Sequence, residues 1–465
     1  MPDLRQASTP PLAPGFYPAA RWNRKFRELV LRDPASRPLV IALTRPDGTI
    51  LRHESRVLSA GHPEAARNFR YAERLVKFLL WQLGGARIIV AGGDEIGAYL
   101  KAEYSPVGRR AFDWDFMGSK VYGVPFSVDT LPIAFVPDTC DVKVSLGRHL
   151  DGCRIGFDLG GSDRKVAAVI DGKAVFSEET RWDPYFQADP AYHLAGIHAS
   201  LQRAAACLPR VDAIGGSAAG VYVNNEVRVA SLFRGVSPEA FARDVRGMFH
   251  RLRMQWGNVP FEVANDGEVT ALAGSMALGT GAVLGVSMGT SQAGGYVRPS
   301  GELTSWLNEL AFAPIDYALD APPDEWSGDR GCGVQYFSQQ GVVRIASQAG
   351  FVFPNEMQDP ERLVCVQEAL DRGDVRASQV FTTIGRCFGH ALAHYGDFYE
   401  IQHVLVLGRV TSGEGGSVIL HEAMAVLRAE YPFLAEQLKF SMPDESIKRH
   451  GQAVAAASLP ALARH

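Results

Sequence analysis

The sequence predicts an α/β protein of two lobes with an additional N-terminal α/β module, and three observations carry that expectation. At 465 residues the chain is too long for one ordinary core, since cores stop growing at roughly 250 to 300 residues and longer chains divide. Two strand, turn and strand units with glycine-bearing turns lie about 130 residues apart, near residues 160 and 290, and each is followed by alternating helix and strand patterns, which points to a duplicated architecture. The first 150 residues carry strand and helix patterns but lie outside that duplication.

Composition narrows the class of function. Hydrophobic residues make up 46% of the chain and charged residues 21%, so a soluble globular protein folding by apolar burial is expected, without disulfide or metal staples. A net charge of -4 without a long basic run gives no electrostatic footprint for nucleic acid or an anionic membrane. The six cysteines, at 140, 153, 207, 332, 365 and 387, show neither the paired spacing of a zinc site nor the density of a secreted scaffold. No leader pattern opens the chain and no apolar run approaches the ~20 residues that span a bilayer, so a cytoplasmic location is expected.

In order along the chain, residues 1–20 are rich in proline and are expected to form a flexible lead. Residues 21–150 form the N-terminal extension: strand, turn and strand over 38–51, a helix over 63–83, a strand over 87–90, a helix over 94–104, and an irregular aromatic stretch over 105–152. The first lobe is assigned to 151–265, with a three-strand meander over 154–176, helices near 193–207 and 238–256, and strands over 213–215 and 261–264. The second lobe is assigned to 266–465, with strands over 283–288 and 295–298, helices near 332–348 and 377–395, a strand over 403–407, and a helix over 417–429.

Four segments carry chemistry. In Asp158-Leu159-Gly160-Gly161-Ser162-Asp163-Arg164-Lys165, the glycine pair lets backbone N–H groups approach an anion, and Ser162 adds a donor. A strand follows it, not the helix a Walker loop needs, and a plain hairpin turn is the equal alternative. The segment 285–295, with Gly289-Thr290 at its turn, repeats that geometry; two such hairpins fit a pair of jaws on one polyphosphate. Between them, the strand ending Ala264-Asn265-Asp266-Gly267-Glu268 delivers a carboxylate to the end where α/β clefts open, making Asp266 a candidate general base. Asn265 and Glu268 also read as a capping box, and both readings hold together. The apolar strand running into Gly408 suits an adenine lying on backbone, or a simple strand to helix connection.

These elements, in this order, resemble the phosphate-1, catalytic, phosphate-2 and adenosine motifs of the hexokinase/actin superfamily, and within it the ROK group of bacterial sugar kinases and related repressors. The resemblance covers about two thirds of the chain, from residue 154 onward. It implies a two-lobed, actin-like (ribonuclease H-like) ATPase fold and ATP-dependent phosphorylation of a sugar-like hydroxyl. It further implies that ATP, as its Mg2+ complex, is held by Asp158, Gly160, Gly161, Ser162, Lys165, Gly289, Thr290 and Gly408, with Asp158 orienting a magnesium-bound water. Lys165 pairs with phosphate or with Asp158, or is a solvated strand lysine. Gly220, in the turn after a strand, and Asn265 would contact the sugar. Glu309 matches the family's sugar-binding glutamate or is an exposed loop carboxylate. Phe312 stands where the family has a zinc-binding histidine, and only Cys332 remains of the cysteine cluster, so no structural zinc is expected. Ser291 and Ala293 replace family glycines, for which Gly294 and Gly295 could compensate.

The competing reading is a non-catalytic protein that responds to a sugar or nucleotide on the same fold. A helix-turn-helix signal is absent from the first 150 residues, which disfavours a repressor. Three roles stay open for that module: covering the cleft, making a homodimer contact, or buttressing the first lobe. The sequence does not specify the sugar.

Overall fold

The computed structural model describes residues 8–141, 146–442 and 451–462; expectations that fall on residues 1–7, 142–145, 443–450 and 463–465 lie outside them. The N-terminal module contains α1 (Ala19–Arg32), β1 (Arg37–Thr44), β2 (Ile50–Val57), α2 (Arg67–Leu83), β3 (Arg87–Ala91), α3 (Asp94–Glu103) and β4 (Ser127–Thr130). Its sheet has the order β2-β1-β3-β4. The central strand β1 contains Leu-Val-Ile-Ala-Leu, residues 39–43, buried on both faces, as expected of a strand covered on both sides.

The first lobe follows with β5 (Cys153–Leu159), β6 (Asp163–Ile170), β7 (Lys173–Arg181), α4 (Pro190–Ala205), β8 (Ala213–Ala218), the hairpin β9 (Val221–Val223) and β10 (Glu226–Val229), α5 (Met248–Gln255) and β11 (Phe261–Asn265). These strands, apart from the hairpin, form one sheet ordered β11-β8-β5-β6-β7. β5, β8 and β11 run parallel, while β6 and β7 return antiparallel. β5 is buried at every position and β7 alternates in exposure, which fits a central and an edge strand.

The second lobe comprises α6 (Asp266–Leu278), β12 (Val283–Met288), β13 (Gln292–Val297), α7 (Gln339–Gln348), α8 (Asp359–Asp371), α9 (Val375–Tyr395), β14 (His403–Leu407), α10 (Glu414–Glu430) and β15 (Lys439–Ser441), and α11 (Gln452–Ala457) follows. The sheet order is β13-β12-β14-β15, with β12 and β13 antiparallel and the others parallel. The duplication is therefore real but incomplete. Where the first lobe has β7, the second has single bridges from Leu303 to Val297 and Leu146.

Two helices cross between the lobes. α6 starts at the end of β11 in the first sheet and packs on β12 and β13 of the second. α11 returns to lie on β5, β8 and α6, and its alanines share a core with Val269, Leu272, Val283 and Leu405. That close approach explains two glycines: a Cβ on Gly156 would fall on the Ala453 carbonyl oxygen, and one on Gly215 on that of Ala456. Gly215→Val is accordingly expected to lower stability by at least ~1–3 kcal/mol through overpacking, read as a lower thermal midpoint.

Several expectations change. The lead is not loose over its described part: Leu12 N–H donates to Thr383 Oγ1 at 3.1 Å, and Phe16 is buried against Tyr336 in the second lobe's core. α1 follows directly, burying Trp22, Phe26 and Val30 at helical spacing, a pattern masked in sequence by the neighbouring prolines. The aromatic stretch contains a short helix, Ala111–Asp115, running into a π-helical turn, Phe116–Tyr122. The helix expected from 332 begins only at Gln339, because Cys332 pairs with Pro314 in extended backbone. The strand expected from 295 begins at Gln292, so Gly294 as well as Gly295 lies inside β13. All six cysteines are unpaired, and no helix among the described residues is long and apolar enough to cross a membrane.

Candidate functional site

β5 carries Asp158 to the edge where β8 and β11 also end. Parallel register sets Asp158 beside Ser217 of β8, whose hydroxyl donates to Asp158 Oδ1 at 2.7 Å. Gln452 of α11 donates to Ser217 Oγ at 3.0 Å and to the Asp266 carbonyl oxygen at 3.3 Å, so one side chain links the hydroxyl partner of Asp158 to the backbone of Asp266. Burial pushes the Asp158 carboxyl up to about 6, against the pull of Ser217 and Lys165 and with a further push from Asp266.

The turn after Asp158 is closed by Gly160 N–H donating to the Asp163 carbonyl at 2.9 Å. Ser162 Oγ donates to Asp163 Oδ2 at 2.9 Å, and Lys165 Nζ lies 3.6 Å from Asp163 Oδ1, so both groups engage Asp163 here. Among the described residues the backbone N–H groups of Gly161 and Ser162 donate to nothing. A Cβ on Gly161 would fall on the Tyr185 hydroxyl, so this glycine is required by Tyr185.

β11 delivers Asn265 and Asp266 to the same edge. Asn265 Oδ1 accepts from Gly267 N–H at 2.8 Å, capping α6, while its Nδ2 donates to the Gly220 carbonyl at 2.8 Å. Gly220 sits at φ +128°, and a side chain there would meet the Val229 carbonyl. Asp266 opens the helix: its Oδ1 also accepts from Gly267 N–H at 3.0 Å, and burial holds its carboxyl above the ordinary range, with that bond opposing. The first turn of α6 lies on the Gly294-Gly295 backbone, with a Cβ at Gly267 only 2.7 Å from the Gly294 carbonyl. Those two glycines thus seat the carboxylate.

Glu309 arrives from a different direction. Asn308, at φ +51°, and Glu309 donate their backbone N–H groups to the carbonyls of Gln82 and Trp81, 2.9 Å each, at the end of α2. The N-terminal module therefore fixes this loop. Asn308 Nδ2 donates to Glu268 Oε1 at 3.2 Å, and Tyr399 OH donates to Asn308 Oδ1 at 3.0 Å. Burial, then the Asp266 charge, pushes Glu309 up to about 7. Burial also pushes Glu268 up to about 8, with Asn308 and the Asn265 N–H opposing and Glu309 adding.

The Glu268 shift has a consequence for stability. With a folded value near 8 and an ordinary value of 4.5, the folded chain retains a proton that the unfolded chain releases across that window. Stability therefore falls as pH rises through it, Asp158 and Glu309 adding in the same direction over narrower windows. Denaturant midpoints are expected to drop from pH ~5 to ~8.5, and Glu268→Gln to flatten part of that slope.

Phe312 packs 4.3 Å from Trp81 and 5.5 Å from Phe112 between ring centroids. Beside it, fully buried Cys332 adjoins Asp329, the hub of an ionic cluster. Lys77 Nζ lies 2.8 Å from Asp113 Oδ1 and 3.4 Å from Asp329 Oδ2, and Arg74 and Arg110 each bridge Glu73 and Asp329. Burial works against the Lys77 ammonium, but Asp113 and Asp329 outweigh it and hold it above its ordinary value. Among the described residues no group of three or more His, Cys, Asp or Glu is placed to hold a metal ion.

In the second lobe, Gly289 N–H donates to the Ser291 carbonyl at 2.9 Å, and the N–H groups of Thr290 and Ser291 donate to nothing among the described residues. Gly408, at φ +100°, adjoins this turn, since a Cβ there would fall on the Met288 carbonyl. The structure thus joins Asp158, Gly220, Asn265, Asp266 and Glu309 in one set, and Gly289, Thr290 and Gly408 in another. No hydrogen bond or ion pair among the described residues links the second set to the 160–162 turn. The sequence did not single out Ser217, Gln452 or Asn308. Ser217 had a signal, a hydroxyl inside a strand of small residues, whereas Gln452 lay beyond the last element assigned.

No family model matches the chain, and no curated protein matches it in sequence. Solved structures do match. A ROK hexokinase from Thermus thermophilus aligns at 18% identity and TM-score 0.52, covering 65% of this chain and 97% of that one. A ROK family glucokinase from Streptomyces griseus, in complex with glucose and AMPPNP, aligns at 20% identity and TM-score 0.48, covering 66% and 98%. A ROK family transcriptional regulator, a homologue of the E. coli MLC protein, aligns at 18% identity and TM-score 0.48, covering 67% and 79%. The match to the hexokinase shows the shared fold: the chain has the mixed α/β, two-lobed, actin-type architecture of ROK proteins over about two thirds of its length.

Proposed function

We propose that this protein is an ATP-dependent kinase of a sugar or sugar-like hydroxyl, with Asp266 as the general base. The observation that carries the reading is the placement of Asp266: it sits where the first sheet hands over to the second, with its charge felt by Glu309 and with Asn265 and Gly220 tied beside it. Each sheet ends nearby in a glycine turn with two free backbone N–H groups, the donors a phosphate chain needs.

In this mechanism the acceptor hydroxyl lies against Asp266, which takes its proton as the oxygen bonds to the terminal phosphorus of ATP and the bond from that phosphorus to the departing ADP breaks. Asn265 retains one amide hydrogen and one lone pair after its two internal bonds, enough to orient a neighbouring hydroxyl. Glu309, poised near neutrality, accepts or donates to a second. Asp158, buried with one oxygen on Ser217, would hold the nucleotide's magnesium ion indirectly and not as a ligand, and that ion would supply charge neutralisation for the phosphates. The turns at 160–162 and 289–291 hold phosphate, and Gly408 offers bare backbone to the adenine. Positioning and electrostatics supply most of the acceleration in such a transfer.

The test is labelled MgATP offered with a panel of hexoses, amino sugars and polyols. Transfer of label to an acceptor is the expected result. Saturable binding of a sugar or nucleotide without transfer would instead establish the non-catalytic, ligand-responsive alternative.

A further inference from the structure

The cleft edge of the first lobe carries a cation that the mechanism above does not use. The loop 182–187 leaves β7 beside the 160–162 turn, since Asp163 pairs with Arg181, and the loop 230–236 leaves the β9–β10 hairpin at the end of β8. Both loops therefore stand at the edge where Asp158 and Asp266 are presented. Trp182 anchors the first to the glycine turn: its Nε1–H donates to the Gly160 carbonyl at 2.8 Å, and its N–H to the Ser162 carbonyl at 3.1 Å.

A buried histidine locks the two loops together. His193 is fully buried, and its Nε2 lies 3.0 Å from the Pro184 carbonyl and 3.1 Å from the Leu232 carbonyl. Both partners are acceptors, so Nε2 carries the proton and bridges them. Gly235 allows the contact, because a Cβ there would meet the Phe186 carbonyl carbon and the Gln187 carbonyl oxygen at 2.9 Å.

On this platform the Arg234 guanidinium lies 3.8 Å from the Tyr185 ring centroid and 5.4 Å from that of Phe186. Tyr185 is the ring whose hydroxyl rests on Gly161. Arg234 is exposed and has no carboxylate partner among the described residues, whereas Lys165 is paired with Asp163 and Arg164 donates to Ser200. A guanidinium stacked on aromatic rings, without a carboxylate partner among the described residues and one ring away from free N–H groups, is arranged for a phosphoryl anion.

We infer that Arg234, held by Tyr185, is a phosphate-binding residue that completes the glycine turn of the first lobe and engages the terminal phosphates of the nucleotide. This rests on the kinase reading. Arg234→Gln is expected to weaken MgATP and tripolyphosphate binding about 10- to 100-fold by calorimetry, with a shallower salt dependence and adenosine binding within twofold of wild type. Tyr185→Leu, which removes the platform but no charge, is expected to weaken both phosphate ligands in the same direction, and Tyr185→Phe to leave them within twofold. Undiminished MgATP affinity in Arg234→Gln would overturn the assignment, as would equal loss of adenosine affinity. A wild-type chain that binds MgATP beside such a variant overturns this assignment alone; a wild-type chain that binds no MgATP overturns the kinase reading with it.

Discussion

Asp266→Asn is expected to lower turnover by ~10²- to 10⁴-fold, the usual worth of a positioned base, while leaving dissociation constants for MgATP and acceptor within a few-fold of wild type. The geometry explains why binding should survive. Asparagine keeps an oxygen able to accept from Gly267 N–H, so the first turn of α6 and the Gly294-Gly295 contact beneath it are undisturbed. It also removes a carboxyl that burial disfavours as an anion, so stability should not fall. Steady-state rates beside calorimetric binding separate the two effects. Wild-type turnover in the variant would exclude Asp266 from proton transfer.

The second large effect is on stability. Lys77→Met is expected to cost about 3–5 kcal/mol, because it strands Asp113 in an interior where Lys77 neutralised it, while Asp329 keeps Arg74 and Arg110. Asp113 keeps only its Trp81 Nε1–H donor at 2.8 Å. The loss should reach the acceptor side, since α2 carries both Lys77 and the Trp81 and Gln82 carbonyls that hold the Glu309 loop. Acceptor KM should rise more than the KM for MgATP. Replacing the partner as well, in Lys77→Met with Asp113→Leu, should recover part of the stability, because exchanging a buried ion pair for apolar side chains is often neutral. Failure of the double variant to recover any would show that Lys77 acts through packing alone.

The sequence made strand-borne features legible and helix-borne ones less so. β14 was read to its exact bounds, and the glycine turns at 160 and 289 fell where expected, because an apolar run stopped by glycine is a local signal. The assignments of Asn265 as helix cap and Asp266 as first helical residue follow from the same locality. What escaped depends on partners distant in the chain. Gln452 matters only because α11 crosses to the first sheet, and the loop holding Glu309 is fixed by carbonyls more than two hundred residues upstream. The close approach of Gly294 and Gly295 to the first turn of α6 is a contact of the same kind. Phe16 and α1 are hidden in the sequence by the neighbouring prolines, and their apolar side chains find partners only in distant segments.

The returning helix α11 has a bearing on how the chain is made. The glycine-paved face of β5 and β8 stays bare until alanines more than two hundred residues later in the sequence can cover it. Early segments emerging from a ribosome cannot complete this sheet by themselves, so the first lobe matures only after the second has been synthesised. The bridge from Gln452 to Ser217 likewise requires the last helix to have docked on the first sheet.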